Sequence, residues 1–269
     1  MTPEATFPDA PRYTPASVRA MKQRGEKIAA LTAYDYPTAR LLDEAGVPVI
    51  LVGDSVGMVV LGFPDTTQVT LDDIRHHLAA VARAKPRALV VGDLPYHSYE
   101  TPDAALLNAR ILMAAGADAI KLEGGQAVVP EIDAIRRAGF AVMAHIGMLP
   151  QSVKEEGGYK IKGKSAPERE RLLADALAVE KAGAFAIVLE LVEPELAREI
   201  TAAVNIPTIG IGSGPHCGGQ IMVTHDLVGA FPWFRPKFAV AKADVASVIR
   251  GAAAEFVKEV AVALRATGD

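Results

Sequence analysis

One half-unit recurs along this chain and limits what it can fold into. Ala45-Gly46 precedes VPVILVGD, Ala115-Gly116 precedes ADAIKLEG, Ala138-Gly139 precedes FAVMAHIG, and Ala182-Gly183 precedes AFAIVLEL. Each glycine falls where a helix stops, because glycine enters the left-handed cap conformation without steric penalty. Each following run is short, continuous and apolar, as expected of a parallel strand buried on both faces. Runs of the same type at 28–35, 88–95, 206–214 and, more weakly, 220–226 bring the expected strands to eight. Amphipathic helices lie between them. Thr70 caps one whose Leu71, Ile74, Leu78 and Val81 share a face, with Asp72 and Asp73 near its positive end. Thr101-Pro102 reads as a cap followed by a first-turn proline.

Alternating strands and helices imply a parallel sheet, and eight repeats in 269 residues imply a single-domain α/β fold, the (β/α)8 TIM barrel. An open doubly wound sheet is the rival, since the interval between strands seven and eight is too short for a full helix. Residues 1–15 read as a proline-rich N-terminal arm and 16–269 as the barrel, with a helix over 16–23 capping its floor. The connection over 149–165 has little obvious core and the length of a lid. Gly157-Gly158 would hinge it, and Tyr159 and Lys160 would face a ligand.

Composition narrows the function classes. With 28 basic against 32 acidic side chains and no basic-aromatic stripe, nucleic acid is not an expected partner. The single cysteine, Cys217, permits no intrachain disulfide and suits a reducing compartment. The most apolar stretch, 47–63, is interrupted by Gly53, Asp54, Ser55 and Gly57, and the start has no basic-then-apolar signal. A cytoplasmic protein with no membrane partner is expected.

Barrel active sites lie at the C-terminal ends of the strands. Those ends carry Tyr34-Asp35, Asp54-Ser55, Asp93, Lys121 with Glu123, His145, Glu190 and His225-Asp226. Strand alternation puts Lys121 and Glu123 on one face. Buried ionisable groups of this kind are costly unless they are paired or hold a cation. Asp54, Asp93 and Glu123, from three neighbouring strands, suit a hard cation such as Mg2+, although each aspartate alone reads as a cap or loop residue. Lys121 is either half of a buried ion pair, a binder of a substrate carboxylate, or a Schiff-base amine. Glu190 interrupts AIVLEL, where burial would raise its pKa towards that of a general base. His145 reads as a satisfied core histidine, and His76 and His77 as solvated. Gly210-Ile211-Gly212-Ser213-Gly214 suggests a phosphate loop, but Pro215 removes the third glycine and favours tight turns. Together these residues suit a divalent-metal barrel enzyme with a carboxylate base, forming an enolate from a 2-oxo acid.

The ordered motifs LTAYDYPTA, LVGDSVGMVVLG, TLDDIRHH, DLPYHSY, IKLEGG, AHIGMLPQSV, GGYKIKGK, VLELVE, IPTIGIGSG and GQIMVTHDLVG resemble the ketopantoate hydroxymethyltransferase family over residues 16–240. The resemblance implies a barrel related to phosphoenolpyruvate mutase and isocitrate lyase, assembled as a homodecamer. It implies hydroxymethyl transfer from 5,10-methylenetetrahydrofolate to 3-methyl-2-oxobutanoate, giving 2-dehydropantoate in pantothenate and coenzyme A synthesis. By motif match, Asp54 and Asp93 would hold Mg2+ or another divalent cation, with Glu123 in or just behind its shell. Asp54, Ser55, Asp93 and Lys121 would contact the oxo acid, Glu190 would take its C3 proton, and His145 would line the site. Two departures stand out: Gly218 where the family usually has an acidic residue, and an ending at ALRATGD without the family's acidic-His tail. A lyase or mutase of the same superfamily is the nearest rival, but its KKCGH-type lid motif is absent. A catalytically silent binding barrel would have lost one of the five strand-end residues Asp54, Asp93, Lys121, Glu123 and Glu190.

Overall fold

The computed structural model describes residues 11–154 and 157–266. Most of the expected arm, residues 155–156 of the expected lid and the last three residues lie outside them. The elements run α1 (Pro15–Gln23), β1 (Ile28–Thr32), α2 (Tyr36–Glu44), β2 (Val49–Val52), the single turn α3 (Val56–Val59), α4 (Leu71–Arg83), β3 (Leu89–Asp93), α5 (Pro102–Ala115) and β4 (Ala119–Glu123). They continue with α6 (Val129–Arg137), β5 (Ala141–Gly147), α7 (Ala166–Lys181), β6 (Ala186–Glu190), α8 (Pro194–Ala203), β7 (Thr208–Ile211), β8 (Gly219–Met222), α9 (Thr224–Leu227) and α10 (Val245–Ala266). The strands close in sequence order from β1 to β8, and the pairs from β1–β2 through β7–β8 are parallel. No helix separates β7 from β8, as their spacing requires. The doubly wound alternative is excluded by this closure.

Local chemistry accounts for the elements. Gly46, Gly116, Gly139 and Gly183 all have positive φ, between +80° and +112°, and each ends a helix before the next strand. Thr70 and Asp73 cap each other at the start of α4, and Thr101 Oγ1 accepts from the Ala104 N–H at the start of α5. Asp35, expected at the end of strand one, is instead the cap of α2, accepting from the Thr38 N–H.

Strand alternation sorts the core into two layers. Val49 and Leu51 of β2, Leu89 and Val91 of β3, Ala119 of β4, Met143 of β5 and Val188 of β6 fill the barrel interior. Ile50, Val90, Ile120, Val142 and Ile187 face outward and pack beneath the helices. Burying apolar surface at roughly 25 cal/mol per Å2 is the main stabilising term for both layers. Helix α1 closes the interior with Val18 and Met21, in the same cluster as Ile28 and Ala30.

The chain divides after Ile221 into two compact units. In the second, His225 and Asp226 belong to the short helix α9, so the expectation that they end strand eight is corrected. β8 is only four residues long, because Thr224 begins a helical turn. Gly229 at φ +65° reverses the chain there, and the Ala246 N–H donates to its carbonyl at the start of α10. No helix among the described residues is long and apolar enough to cross a membrane.

Lys22 on α1 donates to the carbonyls of Thr201, Val204 and Ile206 at 2.9, 2.6 and 3.0 Å, capping the end of α8. Burial lowers its pKa and the Glu180 charge opposes that shift. Lys22→Met should therefore destabilise the fold by about 2 kcal/mol, read as a lower denaturation midpoint at unchanged slope.

Candidate active site

The polar groups collect at the C-terminal rim of strands β2 to β6. The register sets Asp93 beside Lys121, Glu123 beside His145 and Gly147 beside Glu190. Asp93, Lys121, Glu123, His145 and Glu190 continue the inward-facing series of Val91, Ala119, Met143 and Val188. Asp54 follows β2 by two residues, and Gly53 beside it has no side chain to crowd Asp93: a Cβ there would lie 3.3 Å from Asp93 Oδ2.

Lys121 is the centre. Its Nζ donates to Asp93 Oδ1 and Oδ2 at 2.9 and 2.8 Å and to Glu123 Oε1 at 3.4 Å. All four groups of the inner cluster, Asp54, Asp93, Lys121 and Glu123, are between 1 and 5 % exposed. Burial works against the Lys121 ammonium, but the Asp93 and Glu123 charges outweigh it and raise its pKa. These contacts favour a fixed positive charge over the amine nucleophile that a Schiff base needs. Burial is also the largest influence on Glu123, yet Lys121 and then His145 hold it down to about 2. Asp54 moves well above the ordinary range through burial and then through the Asp93 and Glu123 charges. Asp93 is raised by burial, against the pull of Lys121.

Glu190 differs. Its side chain is 12 % exposed and no Lys or Arg among the described residues forms an ion pair with it, so burial and then the Glu123 charge push its pKa well up. His145 lies between the two glutamates, Nδ1 3.1 Å from Glu123 Oε1 and Nε2 3.5 Å from Glu190 Oε2, without hydrogen-bond alignment to either. The satisfied core histidine expected from sequence is therefore a histidine bracketed by two carboxylates. Glu190 is aimed by the turn behind it. Leu191 adopts φ +47°, its N–H donates to Ile211 O, and the Val192 N–H donates to Ser213 Oγ. Gly147, at φ +104°, lies so close that a Cβ would meet Glu190 O at 2.3 Å. Ser213 in turn donates to Leu189 O, so the glycine-rich segment after β7 is a turn braced against β6.

Tyr34, noted at the end of strand one but given no role, and three residues not expected at the site complete it. Gln151 donates from Nε2 to Asp54 Oδ2 and Leu94 O, and its N–H donates to Glu123 Oε2. Tyr99 donates to Gln151 Oε1 and, at 3.3 Å, to Glu123 O. Tyr34 shares a 2.8 Å hydrogen bond with Ser55 Oγ, and the Tyr34 carbonyl lies 2.7 Å from His77 Nδ1. His77 is therefore not a solvated residue, unlike the exposed His76. Gln151 lies in the 149–165 connection, expected to have little core, where it is 3 % exposed and Val153 8 %. Further along, Lys162 pairs with Val192, and burial followed by the Glu190 charge raises the Tyr159 hydroxyl pKa. At the remaining departure, the Gly218 N–H donates to Thr208 Oγ1.

Among the described residues no three His, Cys, Asp or Glu side chains already stand at metal-coordination spacing. The donor set still fits a hard divalent cation. Among the described residues the three cluster carboxylates with Glu190 outnumber the Lys121 ammonium, and the donors are carboxylate oxygens with the His145 ring nitrogens beside them. Such a cation takes one or two carboxylates and completes its shell with substrate and water oxygens.

The family model for ketopantoate hydroxymethyltransferase matches residues 12–263. A 3-methyl-2-oxobutanoate hydroxymethyltransferase of Moorella thermoacetica is 53 % identical over 251 residues, 93 % of each chain. The same enzyme of Hyperthermus butylicus is 56 % identical over 245 residues, 90 % of this chain and 84 % of that one. Among solved structures, a phosphonopyruvate hydrolase in complex with oxalate and Mg2+ aligns at TM-score 0.60 and 18 % identity, covering 95 % of this chain and 88 % of that one. A 2,3-dimethylmalate lyase of the phosphoenolpyruvate mutase/isocitrate lyase superfamily aligns at 0.57 and 20 %, with the same coverage. These structural likenesses carry the fold alone. The match over nearly the whole chain, at more than half identity, places this chain in the ketopantoate hydroxymethyltransferase family.

Proposed function

We propose that this chain transfers a hydroxymethyl group from 5,10-methylenetetrahydrofolate to 3-methyl-2-oxobutanoate, forming 2-dehydropantoate. The observation that carries the reading is Glu190, a buried carboxylate with a raised pKa and no Lys or Arg ion pair among the described residues, set across His145 from the Lys121 cluster. A divalent cation, with Mg2+ the expected one, would be held by Asp54 and Asp93, with Glu123 behind them. When bound, it polarises the 2-oxo group and offsets the negative charge of the enolate.

The chain's own residues do the rest. Lys121 supplies a permanent positive charge for the acid's carboxylate, and Ser55, oriented by Tyr34, donates to it. Glu190 removes the C3 proton, and His145 holds that proton's surroundings between two carboxylates. The C3 carbon then bonds to the one-carbon unit, water supplies the hydroxyl oxygen, and tetrahydrofolate leaves. Tyr159, whose hydroxyl feels the Glu190 charge, would help to exclude bulk water from the site. A decameric assembly is consistent with α10, which exposes Val248, Ile249, Phe256, Val257, Val260 and Val262.

Proton NMR of the oxo acid with enzyme, Mg2+ and donor in D2O tests the reading. Metal-dependent deuteration at C3 together with a new paired-methyl signal is the expected outcome. Failure of both with folded, metal-loaded protein would overturn it in favour of the superfamily's lyase chemistry.

Replacing Glu190 by Gln should slow C3 exchange by about 10^2- to 10^4-fold, while calorimetric binding of Mg2+ and oxo acid persists. In the wild type the active form is deprotonated Glu190, so the exchange rate should fall as pH drops through its raised pKa. The acid limb of the rate profile should lie above the ordinary glutamate value of 4.5. Mg2+ at ten times its Kd should stabilise the wild type by about 1.4 kcal/mol. Asp54→Asn, which leaves the Lys121–Asp93 pair intact, should abolish that rise in Tm.

A further inference from the structure

Beside the carboxylate cluster lies a cavity of about 330 Å3 with Tyr96, Tyr99, Val128, Glu131, Leu149 and Gln151 in its walls. That size suits a small-molecule ligand. Glu123 and Gln151 belong to both the cavity wall and the cluster, so an occupant would abut the oxo-acid site. His97 and Glu100, exposed and paired with each other, mark the solvent side.

Glu131 has no role in the chemistry described above. It sits in the first turn of α6, is 7 % exposed, and its Oε2 accepts no hydrogen bond. Among the described residues no cation pairs with it. A helix start favours an acidic residue, but an exposed one would serve as well. A buried carboxylate oxygen without a donor is costly, and since Glu131 lines the cavity, a turn of its carboxylate would bring that oxygen to the N–H groups of a ligand and relieve the cost. Two coplanar N–H donors match the two oxygens of a carboxylate. Tyr96, Tyr99, Val128 and Leu149 add aromatic and apolar walls suited to a flat ring.

We propose that this cavity seats the 2-amino-4-oxopyrimidine end of the folate donor, with the Glu131 carboxylate accepting from ring N3–H and the exocyclic amine. The inference rests on the donor named under Proposed function. The one-carbon unit is carried at the opposite edge of the bicycle from these donors. Pairing at Glu131 therefore turns that unit away from α6 and towards the wall shared with the cluster.

Calorimetry with 5-formyltetrahydrofolate tests this on the full chain, with wild type, Glu131→Gln and Ala127→Phe. Ala127 lines the cavity and is exposed, so its replacement fills space without disturbing the core. Both variants should raise Kd by roughly 10- to 100-fold, the loss expected for a charged hydrogen-bond acceptor or an obstructed pocket. Binding of p-aminobenzoylglutamate, which lacks the pyrimidine, should not respond to Glu131→Gln. Unchanged folate Kd in either variant would overturn the inference. If Glu131→Gln does not fold, Ala127→Phe decides. A wild type that deuterates the oxo acid but binds no folate would instead refute the donor reading, and this inference with it.

Discussion

One buried ammonium holds the rim of this barrel together. Lys121 donates to both oxygens of Asp93 and reaches Glu123, all from inward positions on adjacent strands. Removing it would leave Asp93, Glu123 and Asp54 as like charges in a desolvated space, a situation costing several kcal/mol. Its single charge does not balance them. That imbalance is what supports the proposal of a divalent cation here and, through it, of an anionic oxo acid. Gln151 manages the same imbalance with neutral donors, its side-chain amide serving Asp54 and its backbone N–H serving Glu123.

The barrel makes this concentration of charge tolerable by separating two tasks along each strand. In β4, Ala119 packs the interior at the bottom, and Lys121 and Glu123 continue the same face at the top. In β3 the sequence Leu89, Val91, Asp93 does the same, and in β6 it is Ala186, Val188, Glu190. The intervening outward residues never change character, because helices cover them along the full length of the strand. Stability is therefore carried by the lower layers and the outer shell, which leaves the upper layer open to polar side chains.

What the sequence made legible follows from that division. The Ala-Gly stops and apolar runs are local signals, and each glycine does take the left-handed conformation expected of it. The strand-end residues were readable because a charge inside an apolar run has few explanations. Gln151, Tyr99, Tyr34 and His77 were not readable in the same way, since each matters through a partner distant in sequence. Tyr34, for example, reaches Ser55 across 21 positions and Gln151 reaches Asp54 across 97. His77 looked solvated because its neighbours Arg75 and His76 are exposed, while its own ring turns back towards Tyr34. The ends of β8 were misjudged for a different reason: four residues give periodicity too little length to separate a strand from the helical turn that follows. Glu131 carried no signal at all, since an acidic residue in a first helical turn is ordinary.

The proposed chemistry depends on carboxylates of one type behaving in opposite ways a short distance apart. The Glu123 pKa is held down to about 2 by Lys121 and His145 despite its burial, whereas that of Glu190 is pushed upward by burial and the Glu123 charge against a smaller pull from Lys121. An ionised carboxylate beside Lys121 can anchor charge but is too weak a base to take a carbon-bound proton. A raised one can take that proton, and it must remain apart from the ammonium to do so. The distance is enforced by backbone: Gly147 lets the end of β5 close on the Glu190 carbonyl, and Leu191 turns the chain immediately afterwards. A side chain at Gly147, or a register slip of one residue in β6, would disturb that turn or send Glu190 to the outer face. The proposed base would then be lost, although the Lys121 cluster would remain.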